Sequence, residues 1–495
     1  FASGTAAIST GLLTLLKAGD HIVASSSLYG GTYNLLKVTL PRLGITTTFV
    51  NADNPDNFKD AVKENTRAFF VESLGNPKLD VLDLEAIAKH SKAAGVPFIV
   101  DNTVATPALL NPIKHGANIV IHSLTKYIGG QGTSLGGAIV DAGTFDWSNG
   151  KFPEFTTPSA GYHGLVYSEA LGAAAYTFKL ILEGLRDFGG ALSPFNAFQI
   201  IQGLETLPVR IKQHSENALE LAKWLEKQDE VAWVNYPGLK SSKYHALAAK
   251  YLPKGQSGIV TFGAKGGYDA AKAIADNSKL FSLLANIGDT KSLIIHPAST
   301  THQQLTDSEQ ESTGVSKDLI RLSVGIEAIE DLKADLKEAF SKADNILTTA
   351  AKGIAEVISV TGQINVDFND VNTVMKDSGV AIMGSAEGEG ENRAVNCVEK
   401  ALNSPLLNDN NIDGAKYVLL NITYGTQAVL MDEISEITDY IQEEAGSTAD
   451  VIWGHGYDES LGDKLCVTII ATGFNTTPHT GLSMKAPKKN IMNLD

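Results

Sequence analysis

Apolar and polar residues alternate along this chain in two registers. Short, nearly continuous apolar runs (HIVAS, ITTTFV, RAFFVES, VPFIVD, ANIVIHS and GGAIVD) are separated by longer stretches with helical spacing, such as LDLEAIAKHSKAAG. Strands that are apolar throughout, alternating with amphipathic helices, predict an α/β unit whose mostly parallel sheet is covered by helices on both faces. Ahead of the first strand, SGTAAISTGLLTLLKAGD predicts an amphipathic helix with Gly19 as its C-terminal stop. The chain opens on Phe1 and enters this helix within three residues, which reads as a chain cut upstream.

Near residue 344 the pattern changes. A helix through NILTTAAKGIAEVI, then GQINVDFNDVNTVMKDSGVAIMGSA, a helix NRAVNCVEKALNSPLL and the strands AKYVLLNITYG, DVIWGHG and KLCVTIIATGF predict a small separate α/β domain. Residues 476–495 are polar and Pro-containing, as expected of a mobile tail.

Charge marks the same junction. The 495 residues carry a net charge of −16, and residues 344–495 hold 9 Lys+Arg against 22 Asp+Glu, leaving −3 for residues 1–343. This balance disfavours binding to nucleic acid or anionic lipid. No apolar stretch is long enough to span a membrane and no signal peptide is visible, so the expected setting is cytoplasmic. Two cysteines, Cys397 in a helix-like run and Cys466 in a strand-like run, are too few for a disulfide framework and are expected to be buried thiols. His296 and His302 lie six apart, and His163 and His214 are isolated, so no metal is expected.

In a parallel sheet, ligands sit beyond the carboxyl ends of the strands. Glu72 and Asn76 follow RAFFV, Asp101 and Thr103 follow VPFIV, and Ser123, Thr125 and Lys126 follow ANIVI. Singly, such an Asp is a turn or cap residue and such a Lys a solvated charge. Together they supply what pyridoxal 5'-phosphate requires: an amine for a Schiff base (Lys126), a carboxylate to keep the pyridine nitrogen protonated (Asp101), and hydroxyls for a phosphate (Ser123, Thr125). Backbone N–H groups of Gly4 and Thr5 at a helix N-terminus would add to the phosphate site. Tyr29, in SSLYGGTY, reads either as a ring stacked on the cofactor or as a half-buried core aromatic.

FASGTAAIST, SSLYGGTYN, ESLGNP, VDNT, HSLTKYIGG, LIIHPASTTH and LIRLSVGIE together resemble the Cys/Met-metabolism family of pyridoxal phosphate enzymes, over residues 1–343. KFPEFTTPSAGYHGLVYSE resembles the insertion of the O-acetylhomoserine sulfhydrylases, as against the cystathionine γ-synthases and methionine γ-lyases. The resemblance implies an aspartate-aminotransferase-like fold of type I, with a large domain at 1–208 and a small one at 209–343. It also implies that Lys126 is the Schiff-base lysine, Asp101 the pyridinium partner, Tyr29 the stacking ring and Asn76 a partner of the ring hydroxyl. Gly4, Thr5, Ser123 and Thr125 would cradle the phosphate, with Thr103 also at the cofactor. Arg321 would take the substrate α-carboxylate, with Ser292 nearby; read without the family, Arg321 is a structural salt bridge. The implied reaction is γ-replacement, in which acetate leaves Cγ of O-acetylhomoserine and sulfide or a thiol adds, giving homocysteine in methionine biosynthesis. A dimer or tetramer is implied. Family members carry about a hundred further residues before the position of Phe1, including a Tyr-x-Arg pair that reaches a neighbouring subunit's phosphate. A chain lacking that segment is not expected to be an active holoenzyme.

Residues 344–475 resemble the C-terminal domain of the cell-division GTPase FtsZ. In that family the loop matching Asn365, Asp367 and Asp370 enters the nucleotide site of the next filament subunit; on propensity alone, Asp367 and Asp370 are a helix cap and a first-turn acid. The glycine-rich GTP-binding loop of that family is absent, so GTP is not expected to bind this chain alone, and an intact FtsZ is the implied partner. No linker separates the two pieces, a pattern that suggests an assembly or recombination artefact more than a natural fusion.

Overall fold

The six apolar runs become strands β1 (His21–Ser25), β2 (Thr46–Val50), β3 (Thr66–Glu72), β4 (Phe98–Asp101), β5 (Ile119–Ser123) and β6 (Gly137–Asp141). The protein is seen here in a computed structural model that describes residues 1–301, 303, 306, 310, 314–343, 372, 374, 375, 381–390, 392–403, 412–446 and 449–474. It divides into two compact units, Phe1–Ala343 and Asp344–Asp495.

In the first unit the strands form one sheet in the order β2-β1-β3-β4-β5-β6. All neighbours are parallel except β5 and β6. Alternate residues feed two separate cores: Val23, Phe69, Val71, Phe98 and Val100 on one face, and Ile22, Ala24, Phe70, Ile99 and Ile121 on the other. Burial on both faces is why the runs are apolar without alternation, each large side chain contributing about 1.5–3 kcal/mol. The chain crosses from β2 on one side of β1 to β3 on the other, so the strand order reverses between β1 and β3, and in open α/β sheets ligands bind beyond the carboxyl ends at such a reversal.

The first helix, Gly4–Leu15, is capped by Ser3, whose side chain accepts the Ala6 N–H. It stops before Gly19, which instead turns the chain into β1 with φ 94°. A second sheet, β7 (Val231–Asn235), β8 (Ile259–Ala264), β9 (Ser282–Leu283), β10 (Leu293–Ile295) and β11 (Leu319–Ser323), has the order β7-β8-β11-β10-β9. One 32-residue helix, Pro194–Leu225, joins the two sheets. Its Ile200, Leu207 and Ile211 pack in the core of the first sheet, and its Ala218, Leu221 and Leu225 in that of the second. The border expected at 208/209 therefore falls inside a continuous helix, although Pro208 is the residue that would be expected to break it.

The second unit has a four-stranded sheet of β12 (Ala381–Gly388), β13 (Tyr417–Tyr424), β14 (Asp450–Tyr457) and β15 (Leu465–Thr472), in the order β12-β15-β13-β14. Helices Arg393–Leu402 and Met431–Ala445 cover it through Val398, Ile434, Ile437 and Ile441. Arg393 is buried and satisfied by Glu433 and by the carbonyls of Gln427, Ala428 and Asp463. Cys397 is buried as expected, but Cys466 is half-buried. Asn365, Asp367, Asp370, His302, the helix expected at 345–358 and the tail at 476–495 lie outside the described residues. Among the described residues no helix is long and apolar enough to cross a membrane, and no three His, Cys, Asp or Glu gather as a metal site.

Candidate active site

The polar residues that end β1, β3, β4 and β5 meet at one end of the first sheet. Asp101 closes β4 and is buried. Its Oδ1 accepts the backbone N–H of Thr103 at 2.9 Å and the Thr103 hydroxyl at 2.5 Å. The same hydroxyl accepts the N–H of Ser123, at the end of β5, at 2.8 Å. Thr103 thus ties the aspartate to the turn that carries Lys126, and its one hydroxyl donor is spent on Asp101. Asp101 and Lys126 stand at the same end of adjacent strands, the arrangement that a single cofactor ring between them requires.

The Lys126 ammonium donates to Asn286 Oδ1. Burial, reinforced by repulsion from Arg321, lowers this amine from the ordinary lysine value to about 8. The loop after it is fixed by Arg210 on the long helix, which donates to the carbonyls of Tyr127 at 2.8 Å, Ile128 at 3.1 Å and Gly203 at 2.7 Å. With Nε bonded to Thr206 as well, Arg210 is a satisfied structural cation.

Arg321, on β11, differs. It is buried, and its Nη1 donates to Asn76 Oδ1 at 3.2 Å, its Nη2 to the carbonyls of Ala285 and Asn286 at 3.1 Å. Among the described residues its hydrogen bonds go to an amide oxygen and two carbonyls and to no carboxylate, and Nε has no hydrogen-bond partner. Burial lowers it to about 10, which leaves it charged at neutral pH. The salt-bridge reading is excluded among these residues, and a buried cation without a counter-ion is a standing site for an anion. Ser292 departs from expectation: fully buried, it donates to Glu327 at 2.8 Å and accepts the Gly325 N–H at 2.8 Å, so its single donor is committed inside the fold.

At the start of the first helix, Gly4 presses against the end of β5. A Cβ added at Gly4 would lie 2.6 Å from Ser123 Cβ, so only glycine lets the helix N-terminus approach the Ser123 turn this closely. Exposed Thr5 and half-buried Ser123 share this mouth. Thr125 accepts the Gly136 N–H at 3.1 Å and holds the Gly136 carbonyl at a longer 3.3 Å. No acidic residue occupies the first helical turn, leaving the dipole free to favour an anion. Tyr29 is 53% exposed and begins the short helix Gly30–Asn34, so it is not a core aromatic.

Residues 1–341 match the family described as Cys/Met metabolism PLP-dependent enzyme. The chain belongs to that family. It is 55% identical over 347 residues to an O-acetyl-L-homoserine sulfhydrylase of Leptospira meyeri, covering 68% of this chain and 78% of that one. It is likewise 55% identical over 344 residues to a homocysteine synthase of Schizosaccharomyces pombe, covering 69% and 80%. A solved O-acetylhomoserine (thiol)-lyase from Campylobacter jejuni, containing N'-pyridoxyl-lysine-5'-monophosphate, superposes with a TM-score of 0.67 and 44% identity over 69% of this chain and 81% of that one. Residues 379–475 match a second family, the FtsZ C-terminal domain. As a member of the first family the chain is a pyridoxal phosphate enzyme of fold type I. The residues present fit that cofactor: a half-buried amine of lowered basicity, a carboxylate whose Oδ1 alone is taken by Thr103, and a glycine-lined helix start. Sequence patterns did not single out Asn286 and Arg210, since each acts through a contact with a residue more than 80 positions away.

Proposed function

We propose that this chain catalyses γ-replacement on O-acetylhomoserine, with sulfide or a thiol displacing acetate to give homocysteine. The observation that carries this reading is Arg321, a buried guanidinium without a carboxylate partner among the described residues, in a family whose similar members are named for that reaction. When bound, pyridoxal 5'-phosphate supplies an electron sink for negative charge at the substrate Cα. Asp101 would hold its ring N–H, Asn76 its ring hydroxyl, and the Gly4, Thr5, Ser123 and Thr125 cluster its phosphate. Arg321 fixes the substrate α-carboxylate, which orients the Cα–H toward Lys126. Lys126, with an amine near 8, is neutral often enough at physiological pH to capture an aldehyde and to accept and return protons at Cα and Cβ.

Only the unprotonated amine captures cofactor. Mixing cofactor-free protein with pyridoxal 5'-phosphate should therefore give a visible absorption band at a rate that rises about tenfold per pH unit and levels above about 8. A rate still climbing toward the ordinary lysine value of 10.5 would contradict the assigned surroundings of Lys126. An exposed apolar row on the long helix, Phe195, Phe198, Ile201, Leu204 and Val209, supports a homo-oligomer. Two cysteines in 495 residues, too few for a disulfide framework, suit a reducing compartment such as the cytoplasm.

For residues 379–475 the family match supports a second reading, docking of this unit on an intact FtsZ chain. Added to FtsZ filaments, the protein should lower the mass that sediments by capping filament ends; unchanged sedimentation would count against it.

A further inference from the structure

Glu72 is a buried carboxyl for which the proposed reaction has no use. It closes β3 in register with Asp101, which closes β4. Registered residues of neighbouring parallel strands lie about 4.8 Å apart with side chains on one face. Glu72 Oε1 accepts the backbone N–H of Tyr29 at 2.5 Å. Among the described residues this is the one hydrogen bond it receives, whereas Asp101 receives two from Thr103. A third buried acid, Asp80, holds the same loop by accepting the Ser27 hydroxyl at 2.7 Å.

We propose that Glu72 is a positioning residue that works as a neutral acid: its carboxyl clamps the backbone at Tyr29, fixing where the ring stands, while its proton leaves Asp101 as the negative charge opposite the cofactor's pyridinium. The proposal rests on the cofactor reading above. The Tyr29 side chain has little packing of its own, being 53% exposed, so its placement depends on the backbone that Glu72 holds. Two adjoining buried carboxylates cannot both ionise. Thr103 favours the ionised form of Asp101, and Glu72, with one donor and two acids facing it, keeps the proton. Burial, then repulsion from Asp101 and, more weakly, Asp80, pushes Glu72 well above the ordinary carboxyl range against the pull of the Tyr29 N–H. Asp101 is raised by burial only to about 6, with Thr103 opposing. The groups facing Glu72 are thus Asp101 from β4, Asp80 from the turn after β3 and Tyr29 from the turn after β1.

Wild type, Glu72→Gln and Glu72→Ala are compared by infrared spectroscopy of the carboxylic-acid C=O stretch, by hydrogen exchange at the Tyr29 amide and by titration with pyridoxal 5'-phosphate. Wild type should show a protonated-acid band at neutral pH that Glu72→Gln removes. Glu72→Gln keeps an acceptor oxygen and no charge, so it should bind cofactor within about twofold of wild type. Glu72→Ala should exchange its Tyr29 amide, and lose cofactor affinity, by about tenfold each. Absence of the band, or a Glu72→Gln protein as weak as Glu72→Ala, overturns the neutral-acid role; a Glu72→Ala protein like wild type in exchange and binding overturns the clamp. A wild type that stays colourless with cofactor sinks the cofactor reading instead, and the infrared and exchange results still decide the state of Glu72. Should Glu72→Ala fail to fold, the band and the Glu72→Gln affinity decide alone.

Discussion

Lys126→Ala is expected to abolish the visible band formed with pyridoxal 5'-phosphate and to lower turnover by about 10³-fold or more, since covalent capture and the proton transfers, each worth about 10²–10⁴-fold, fall on one amine. The change should leave the fold almost untouched. Lys126 donates to Asn286 and is paired with no carboxylate among the described residues, so its removal relieves a repulsion with Arg321 instead of breaking an ion pair. The Gly4, Ser123 and Asp101 cluster does not involve the ammonium, and cofactor should still be retained without a bond to the protein. Absorbance, cofactor retention after gel filtration and thermal unfolding check the three parts. A colourless but fully active variant would end the assignment of Lys126.

Arg321→Met is expected to separate function from stability in the opposite sense to most core substitutions. Truncating one partner of a buried, hydrogen-bonded charge pair costs about 2–5 kcal/mol, which appears as a fall of order 10²–10³-fold in kcat/KM if the substrate carboxylate is the partner. The fold carries the desolvation of this cation without a counter-ion, so a shape-matched apolar side chain should hold or raise the unfolding temperature even though Asn76 and two carbonyls lose a donor. Arg321→Lys should not rescue activity, because an ammonium cannot reach Asn76 and the carbonyls of residues 285 and 286 while presenting a second edge to a carboxylate. Steady-state kinetics and thermal unfolding, measured together, decide this. A destabilised variant with normal KM would return Arg321 to a purely structural role.

The chemistry legible in the chain was the kind that topology collects automatically. Asp101, Ser123 and Lys126 follow apolar runs buried on both faces, so their strands are unmistakable and their carboxyl ends must meet at one edge of the sheet. Gly4 and Tyr29 reach the same edge from the first helix and from β1. What escaped depends on pairings between distant segments. Asn286 meets Lys126 across 160 positions, and the commitment of Ser292 to Glu327 depends on how β10 and β11 pair, which no local pattern encodes. The helix Met431–Ala445 was missed for a different reason: acids crowd its sequence, and its apolar stripe of Ile434, Ile437 and Ile441 is narrow. Pro208 lies inside the continuous helix Pro194–Leu225, where the burial of both halves in separate cores overrides what a proline costs a helix.

The long helix Pro194–Leu225 makes the first unit mechanically indivisible. At about 1.5 Å per residue it is a rod of roughly 48 Å whose two halves are embedded in different cores, with Arg210 near its midpoint gripping the backbone just past Lys126. A tilt of the second sheet, which carries Arg321, would pass along that rod to the loop after Lys126, coupling the proposed carboxylate anchor to the proposed Schiff-base amine.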